Sequence, residues 1–406
     1  MNLKRAVVIP TYWSRKGGEW RDGDLVFDHP TPLDEKGTLQ RCLESLNKLE
    51  GSFDLVLIAV STHPDVQESL EIKLNDLLNS LDLHYRVIPI FPSTIREIHK
   101  RLGDETVKEV LNLNGYSQVR NGCILIPLIL GFDTFILLDD DEVVLDKDFL
   151  SLATEYLGEL FTDREIIAKA GIYIQPHGSP FFKDKETTWR FFLNGKKAMN
   201  EAFKIIELGN RIVDTPFAFG GNMVISKKVI EEGISFDPYI PRGEDIDFLV
   251  NVKVEGYAFV LDTALRILHL PTKSRNPDWI KLRQDASRLL YMRCKMNLLK
   301  SLNVKCGITP KDLEPYPGSF LNWTLRPRIF LTSILLAIDY ALRLKFDDSR
   351  EALSNIKLLF KNYSILVSKY LLFKEKWKET TLKLINSPDL VDILLKNIVD
   401  AEPRRQ

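Results

Sequence analysis

Short apolar runs alternate with amphipathic stretches in the first third of the chain. Four runs have the composition of buried strands: "RAVVIP" (5–10), "FDLVLIAVS" (53–61), "YRVIPIF" (85–91) and "TFILLDD" (134–140). Leucines recur at helical spacing over residues 39–49, between the first two runs, and a second helical pattern covers residues 65–81. Strands that alternate with helices predict βαβ units and a parallel sheet.

Crossover connections of this kind are right-handed, so the predicted fold class is α/β with a doubly wound, mostly parallel sheet. In such sheets, ligands bind beyond the carboxyl ends of the strands. Pro10 is expected to end the first strand, and Ser61 and the acids after residue 138 end two others. Residues 12–37 form a long, turn-rich insertion at the same edge, for which we expect a role in binding.

The pattern changes after about residue 165. It predicts a strand over 168–176, mainly helix over 186–209, a glycine-centred turn into a strand over 217–226, and two short extended segments over 257–271. Only helical patterns follow residue 276, with apolar side chains every three or four positions in residues 351–373. The chain is therefore expected to have one α/β domain over 1–275 and a helical region over 276–406.

Composition narrows the classes of function. The 406 residues carry a formal net charge of −1, so we expect no nucleic-acid partner. The four cysteines are scattered, so they predict neither a disulfide framework nor a metal-binding pair of cysteines. This pattern favours a location in the reducing cytoplasm. The apolar run that follows Met1 is too short for a signal peptide. The longest apolar stretch, 329–344, is too short to span a bilayer and contains Asp339.

Four acids follow the fourth predicted strand: Asp139, Asp140, Asp141 and Glu142. Neighbouring carboxylates repel one another, and burying one without a partner is costly, so the group is either solvated or held together by a cation. Asp139 and Asp141 can present oxygens to one hard divalent ion such as Mg²⁺ or Mn²⁺. The alternative is a solvated turn that caps a helix starting near Asp148.

A second acidic group and a histidine lie further along the chain. Glu244 and Asp245 follow the turn signal "PRG" and precede an apolar helix. They either cap that helix or supply a general base. His269 ends an extended apolar run, and Lys273 and Arg275 follow it. This histidine is either a core residue or a metal ligand beside a phosphate-binding flap.

These residues occur in an order that resembles a known family. The matching motifs are "VVIPTY" (7–12), "GYSQVRNGC" (115–123), "FILLDDDEVV" (135–144), "FGGN" (219–222), "GEDID" (243–247) and His269. Over about residues 5–272 the chain resembles GT-A fold nucleotide-sugar glycosyltransferases of the large family 2-like group. The resemblance implies a hexosyltransferase that uses Mn²⁺ or Mg²⁺. Its donor would be a UDP- or GDP-linked sugar, and its acceptor a hydroxyl of a carbohydrate or another small molecule.

The resemblance also implies roles for individual residues. The implied metal ligands are Asp139, Asp141 and His269. The implied donor-binding residues are Pro10, Thr11, Arg120, Asn121, Asp139, Asp140, Gly220, Gly221, Lys273 and Arg275. Asp245 would be the base of an inverting transfer, with Glu244 as second choice. The nucleotide-sugar half would cover about residues 1–145 and the acceptor half about 146–275.

One departure and several alternatives stay open. Many family members carry an acid after the second strand that contacts the nucleobase, whereas this chain has "AVSTHPD", with Ser61, Thr62 and His63. A retaining transferase and a sugar-1-phosphate nucleotidyltransferase are enzymatic alternatives. A carbohydrate-binding relative without catalysis is a non-enzymatic one. The lysines of the helical region leave open contact with a membrane surface, hence a peripheral location, or with a second copy of the chain.

Overall fold

The computed structural model describes residues 3–21, 23–183, 188–302 and 305–400. Its strands are β1 (Arg5–Ser14), β2 (Thr31–Pro32), β3 (Asp54–Ser61), β4 (Arg86–Ile90), β5 (Thr134–Leu138), β6 (Glu142–Val144), β7 (Leu160–Phe161), β8 (Arg164–Ile174), β9 (Ile212–Asp214), β10 (Asn222–Ser226) and β11 (Ala258–His269). Small parts of the predicted insertion, of the 186–209 helical pattern and of the C-terminal helical region lie outside the described residues.

Fourteen α-helices occur in the described parts of the chain. They are α1 (Leu39–Leu46), α2 (Gln67–Ser80), α3 (Pro92–Leu102), α4 (Glu105–Val110), α5 (Tyr116–Ile129), α6 (Phe149–Thr154), α7 (Gly195–Phe203), α8 (Lys228–Glu231), α9 (Glu244–Val254), α10 (Asp278–Leu299), α11 (Leu325–Leu342), α12 (Phe346–Ser354), α13 (Tyr363–Ile385) and α14 (Asp389–Leu395). The predicted strand–helix alternation of the first third is confirmed.

The central sheet has the strand order β4-β3-β1-β5-β10-β8-β11-β6. The first four of these strands are mutually parallel, and β8 and β11 also run parallel to each other. β10 is antiparallel to both of its neighbours, and β6 is antiparallel to β11. The predicted α/β class with a mostly parallel sheet is therefore confirmed.

The first strand is longer than the sequence predicts. Pro10 was expected to end it, but β1 continues to Ser14. β1 pairs with β5 only as far as Val8, while its pairing with β3 extends to Trp13. Pro10 therefore lies where β1 has a single neighbour, so its missing amide hydrogen is tolerated there. The extension makes Thr11 a strand residue.

The segment before His269 is also more regular than predicted. Instead of two short extended segments, β11 is one strand with a shift of register against β8 between Leu261 and Arg266. Its end pairs with β6, and His269 lies opposite Glu142. Strand pairing therefore brings the histidine beside the acids that follow β5.

The C-terminal helices pack onto the α/β part of the chain. Val399 forms an antiparallel bridge with Val87 of β4. Lys374 pairs with Glu255 at 2.6 Å, and Lys376 pairs with Glu109 at 2.6 Å. Two of the tail lysines that left open a membrane contact are thus used in docking. None of the described helices is long and apolar enough to cross a membrane.

A buried ion network reinforces this packing. Lys295 of α10 donates to Asp237 at 2.8 Å and to both oxygens of Asp247 of α9, at 2.8 and 2.9 Å. The Tyr291 hydroxyl donates to Asp237 at 2.5 Å, and the Tyr370 ring of α13 lies 3.9 Å from the Lys295 ammonium. The helical region therefore shares a charged core with the domain it follows.

Candidate active site

Asp140 is held by hydroxyl groups near the carboxyl end of β1. It accepts a hydrogen bond from Thr11 Oγ1 at 2.6 Å and a longer one from Thr38 Oγ1 at 3.3 Å. Burial, together with the neighbouring charge of Asp141, raises the pKa of Asp140 to about 7. Thr11 and Asp140, both predicted to bind the donor, thus contact each other, and the Thr11 hydroxyl donates the hydrogen bond.

Arg120 joins the two acidic groups. Its Nη2 donates to Asp139 Oδ1 at 2.7 Å, and its Nε lies 3.6 Å from Glu244 Oε1. The guanidinium side chain is only 4 % exposed, and in the described structure its Nε and Nη1 lack hydrogen-bond partners. Burial and the Asp245 charge raise the pKa of Glu244 to about 7, although Arg120 opposes them. One arginine of α5 therefore connects acids that lie far apart in sequence.

Asp141 faces His269 across the end of β11. His269 Nε2 lies 3.6 Å from Asp141 Oδ2, and the Asp141 carbonyl accepts from the Leu270 amide at 2.9 Å. Burial acts to raise the pKa of Asp141, but the imidazoles of His269 and His29 outweigh it and lower that pKa. The Nδ1 atom of His269 is buried without a partner in the described structure.

The three implied metal ligands do not form a closed cage. Within the described residues, no three His, Cys, Asp or Glu side chains converge enough to hold a metal ion by themselves. Asp139 is turned to Arg120, which leaves Asp141 and His269 as the facing pair. Such a pair fits a divalent ion whose remaining ligands are substrate phosphates and water, because Mg²⁺ is commonly bound by one or two carboxylates plus phosphate.

His29 is a site residue that the sequence analysis missed. Its side chain is exposed to solvent, yet partial desolvation of the ring lowers its pKa, against the charges of Asp28 and Asp141, which act to raise it. It belongs to the 12–37 insertion, whose position at the ligand edge was the only available signal. No motif distinguished this histidine from other polar residues of the insertion.

The turn before β10 approaches the acids so closely that only glycine fits. A Cβ atom on Gly221 would lie 2.3 Å from Glu142 Oε1 and 2.5 Å from Asp139 Oδ2. A Cβ atom on Gly220 would lie 2.9 Å from Arg120 Nη2. Distances below 3 Å are shorter than carbon contacts allow. The predicted glycine pair is thus in the site, against both acids and the arginine.

Tyr173 of β8 positions this turn and the histidine, although no pattern in the sequence distinguished it from other strand residues. Its hydroxyl accepts a hydrogen bond from the Gly221 amide at 2.8 Å. Its ring stacks on His269 with centroids 4.7 Å apart and on Phe219 at 4.4 Å. The imidazole is therefore held from one side by an aromatic stack.

Asp245 lies at the start of α9, half-buried, with Oδ1 accepting from the Ile246 amide at 2.8 Å. Burial raises the pKa of Asp245 although Arg288 and Arg120 act to lower it. The preceding Gly243 has φ of 71°, and a Cβ there would lie 2.5 Å from Arg288 Nη1. A residue of α10 thus acts on the candidate base, so the C-terminal region contributes to the electrostatics of the site.

Other predicted donor-binding residues have partners within the chain. The Asn121 amide donates to the Phe236 carbonyl at 3.0 Å and accepts from the Phe236 amide at 2.9 Å. Pro10 is buried and lies opposite Ile58 in the sheet. Asn121 therefore fixes the segment that leads to α9, and Pro10 packs within the sheet.

The segment after His269 is docked on the insertion. Arg275 donates to the Gly17 carbonyl at 2.8 Å and pairs with Glu35 at 2.5 Å. Asn276 donates to the Phe27 carbonyl at 2.9 Å, and Lys273 is exposed. The predicted phosphate-binding flap is thus a strap, residues 271–277, held by the 12–37 insertion, while Lys273 extends into solvent.

Comparison with known proteins gives structural likenesses only. No protein-family model and no curated protein sequence matches the chain. A mannosyltransferase from Pyrobaculum calidifontis, solved with GDP-Man and Mn²⁺, is 11 % identical over 94 % of this chain and 88 % of its own, with a TM-score of 0.45. GalNAc-T7, solved with UDP, GalNAc and Mn²⁺, is 16 % identical over 70 % of this chain and 51 % of its own, with a TM-score of 0.36. TarS of S. aureus is 13 % identical over 87 % of this chain and 55 % of its own, with a TM-score of 0.36.

Proposed function

We propose that this protein is a metal-dependent glycosyltransferase. The observation that carries the proposal is the meeting of two separate acidic groups at the carboxyl edge of the parallel strands. Arg120 lies between Asp139 and Glu244, and Asp141 faces His269. Sugar transfer from a nucleotide diphosphate needs one centre that neutralises the leaving diphosphate and a second that accepts the proton of the acceptor.

The donor would bind on the side of the acids that follow β5. Asp141 and His269 are the residues that would hold Mn²⁺ or Mg²⁺, with Asp139 assisting once the donor is present. Such an ion supplies Lewis-acid neutralisation of the diphosphate. Gly220 and Gly221 carry no side chains, so the backbone of the turn can lie directly against the acids and Arg120 at the proposed donor site. The donor class, a UDP- or GDP-linked hexose, is part of the same proposal.

Asp245 is the proposed base of an inverting transfer. It is half-buried, whereas Glu244 is more deeply buried and faces Arg120. Asp245 would take the proton from the acceptor hydroxyl as that oxygen attacks the anomeric carbon. The nucleoside diphosphate would leave with the bonding electron pair. Glu244 is the second choice, and it would then need to leave its position near Arg120.

The base assignment is tested by Asp245→Asn and Glu244→Gln. Each change keeps the size of the side chain and removes its basicity. Turnover should fall by roughly 10²–10⁴-fold in Asp245→Asn, the usual contribution of a positioned base. Nucleotide binding measured by calorimetry should stay near that of the parent. Loss of nucleotide affinity in parallel with turnover would assign Asp245 to the donor site, and unchanged turnover would transfer the role to Glu244 or to a retaining mechanism.

The metal assignment has a readout that does not depend on turnover. Chelator-treated protein should bind UDP or GDP more tightly when Mn²⁺ is added, and Asp141→Asn should lose this enhancement. The matched control is Asp146→Asn, which removes an exposed acid from the turn after β6. If both variants keep the Mn²⁺ enhancement, Asp141 is not a metal ligand.

A further inference from the structure

A cavity lies in the helical region, among residues that take no part in the proposed transfer. It has a volume of about 480 Å³ and opens where α10, α11 and the start of α13 meet. Arg293, Arg326 and Lys361 line it, one from each of these three segments, together with Trp323. No carboxylate is among its described lining residues. Its chemistry therefore suits an anion.

No acid lies close in sequence to any of the three lining cations. The cations lie in three stretches that contain no aspartate or glutamate, residues 286–311, 315–338 and 352–374. The whole chain has 55 lysines and arginines and 56 acids, so an excess of positive charge occurs only in particular stretches such as these. Unlike Lys374 and Lys376, the three lining cations form no ion pair with a carboxylate of the described chain. Their positive potential is thus not neutralised internally.

Helix orientation adds to this potential. Arg326 belongs to the first turn of α11, an 18-residue helix, and Ser364 at the cavity belongs to the first turn of the 23-residue α13. The amino ends of helices carry partial positive charge and favour anions. The dipoles of α11 and α13 therefore add to the positive potential that the three cations create in the cavity.

The rim of the cavity is apolar and exposed. Trp323 is 79 % exposed, and Phe360, next to Lys361, is 84 % exposed. Further apolar side chains of α11 are exposed to solvent: Phe330, Leu331, Ile338 and Leu342. A small soluble phosphate would gain nothing from these groups. Aromatic and aliphatic side chains flanked by basic residues are typical of surfaces that lie in the interfacial layer of a bilayer.

We propose that this cavity binds the headgroup phosphate of an anionic lipid and seats the helical region on a membrane surface. The phosphate would lie among Arg293, Arg326 and Lys361, while Trp323 and Phe360 enter the interfacial layer. This contact narrows the one considered for the lysines of the helical region, since of those lysines it uses Lys361 and adds Arg293 and Arg326 of the cavity. It is independent of sugar transfer, so its failure would leave the proposed enzyme intact.

Vesicle co-sedimentation of the full chain tests this proposal. The parent should sediment with phosphatidylglycerol vesicles and stay in solution with phosphatidylcholine, and rising salt should release it. Because each basic residue near an anionic surface contributes about 1 kcal/mol, Arg326→Gln with Lys361→Gln should weaken partitioning about thirtyfold. The control, Lys48→Gln with Lys100→Gln, removes the same charge from exposed positions in the turn after α1 and in α3, and should bind as the parent does. Trp323→Ala should also weaken binding.

Three results would overturn the proposal. One is equal binding to both lipids, and another is equal loss in the cavity variant and the control. The third is calorimetric binding of inorganic phosphate at the cavity without vesicle binding, which would make the site one for a soluble anion. Circular dichroism of each variant checks that the exposed substitutions leave the helices in place.

Discussion

Replacing Lys295 by methionine should lower the free energy of unfolding of the protein by more than a substitution at the surface does. The ammonium group is the cation of the buried network between α9 and α10, with Asp237 and Asp247 as its carboxylate partners. Asp237 and Asp247 raise the pKa of Lys295 although burial opposes them, so the side chain is charged in the folded protein. Methionine retains the apolar volume and removes the charge.

The magnitude follows from what the substitution leaves behind. Asp237 and Asp247 are 0 % and 1 % exposed, so neither carboxylate can turn to water. Their remaining side-chain donors are the Tyr291 hydroxyl and the Asn251 amide. Removing one member of a buried ion pair costs about 3–5 kcal/mol, because an uncompensated charge stays inside. The total free energy of unfolding of a native protein is only about 5–15 kcal/mol, so this loss would be a large part of it.

Urea unfolding, followed by tryptophan fluorescence and circular dichroism, measures this loss. Lys369→Met, which changes an exposed lysine of α13, is the control and should alter the free energy of unfolding by under about 0.5 kcal/mol. Burial already raises the pKa of Asp247 against the opposing charge of Lys295. Without the ammonium group this pKa rises further, so the folded variant takes up a proton that the unfolded chain does not. The loss should therefore be smaller near about pH 5 than near about pH 8.

Two outcomes would show that the charge of Lys295 does not stabilise the folded protein in this way. A loss below about 1 kcal/mol would mean that the network is not essential to the packing of the helical region. An equal loss at both pH values would mean that the cost comes from packing and not from charge. Adding Asp237→Asn and Asp247→Asn to Lys295→Met should recover part of the stability.

Three further predictions concern the site. Gly221→Ala should lower the free energy of unfolding in urea by about 1–3 kcal/mol and weaken nucleotide binding, because the added Cβ would collide with two carboxylates. The control Gly122→Ala, whose added Cβ has its nearest contact at 3.8 Å, should not destabilise the protein. Burial raises the pKa of Glu244 in the folded protein from 4.5 to about 7, so the free energy of unfolding falls as pH rises through this range. Glu244→Gln should remove up to about 3 kcal/mol of that fall, whereas the control Glu68→Gln should leave the pH dependence unchanged. Arg275→Ala should speed proteolysis of the strap with little change in global stability, since its ion pair is exposed; unchanged cleavage would show that the strap is held elsewhere.

Much of the α/β part could be predicted because its signals are local. The strand–helix alternation, the acids after β5 and the glycine pair before β10 are visible as short patterns in the sequence. The predicted end of the first strand at Pro10 was wrong, because whether a proline can stay in a strand depends on the neighbouring strand at that position. That neighbour is fixed by the whole sheet, and the sequence around Pro10 does not specify it.

The parts of the site that were missed depend on distant contacts. Arg120 was singled out by resemblance, but its position between Asp139 and Glu244 follows from how α5 and α9 meet the sheet edge. Tyr173 lies in an ordinary strand pattern, and its stacking on His269 arises only from the pairing of β8 with β11. Such pairings come from tertiary packing, which local periodicity does not encode.

The acids at the sheet edge are proposed to serve the transfer of a sugar from a nucleotide diphosphate. The most direct test is release of nucleoside diphosphate from a panel of UDP- and GDP-linked hexoses, with and without carbohydrate acceptors. We predict that one donor is consumed with Mn²⁺ present, that a chelator stops the release, and that Asp141→Asn lacks it while Asp146→Asn retains it. Release that continues in the chelator, or that is equal in both variants, would contradict the account, as would the absence of release from every donor.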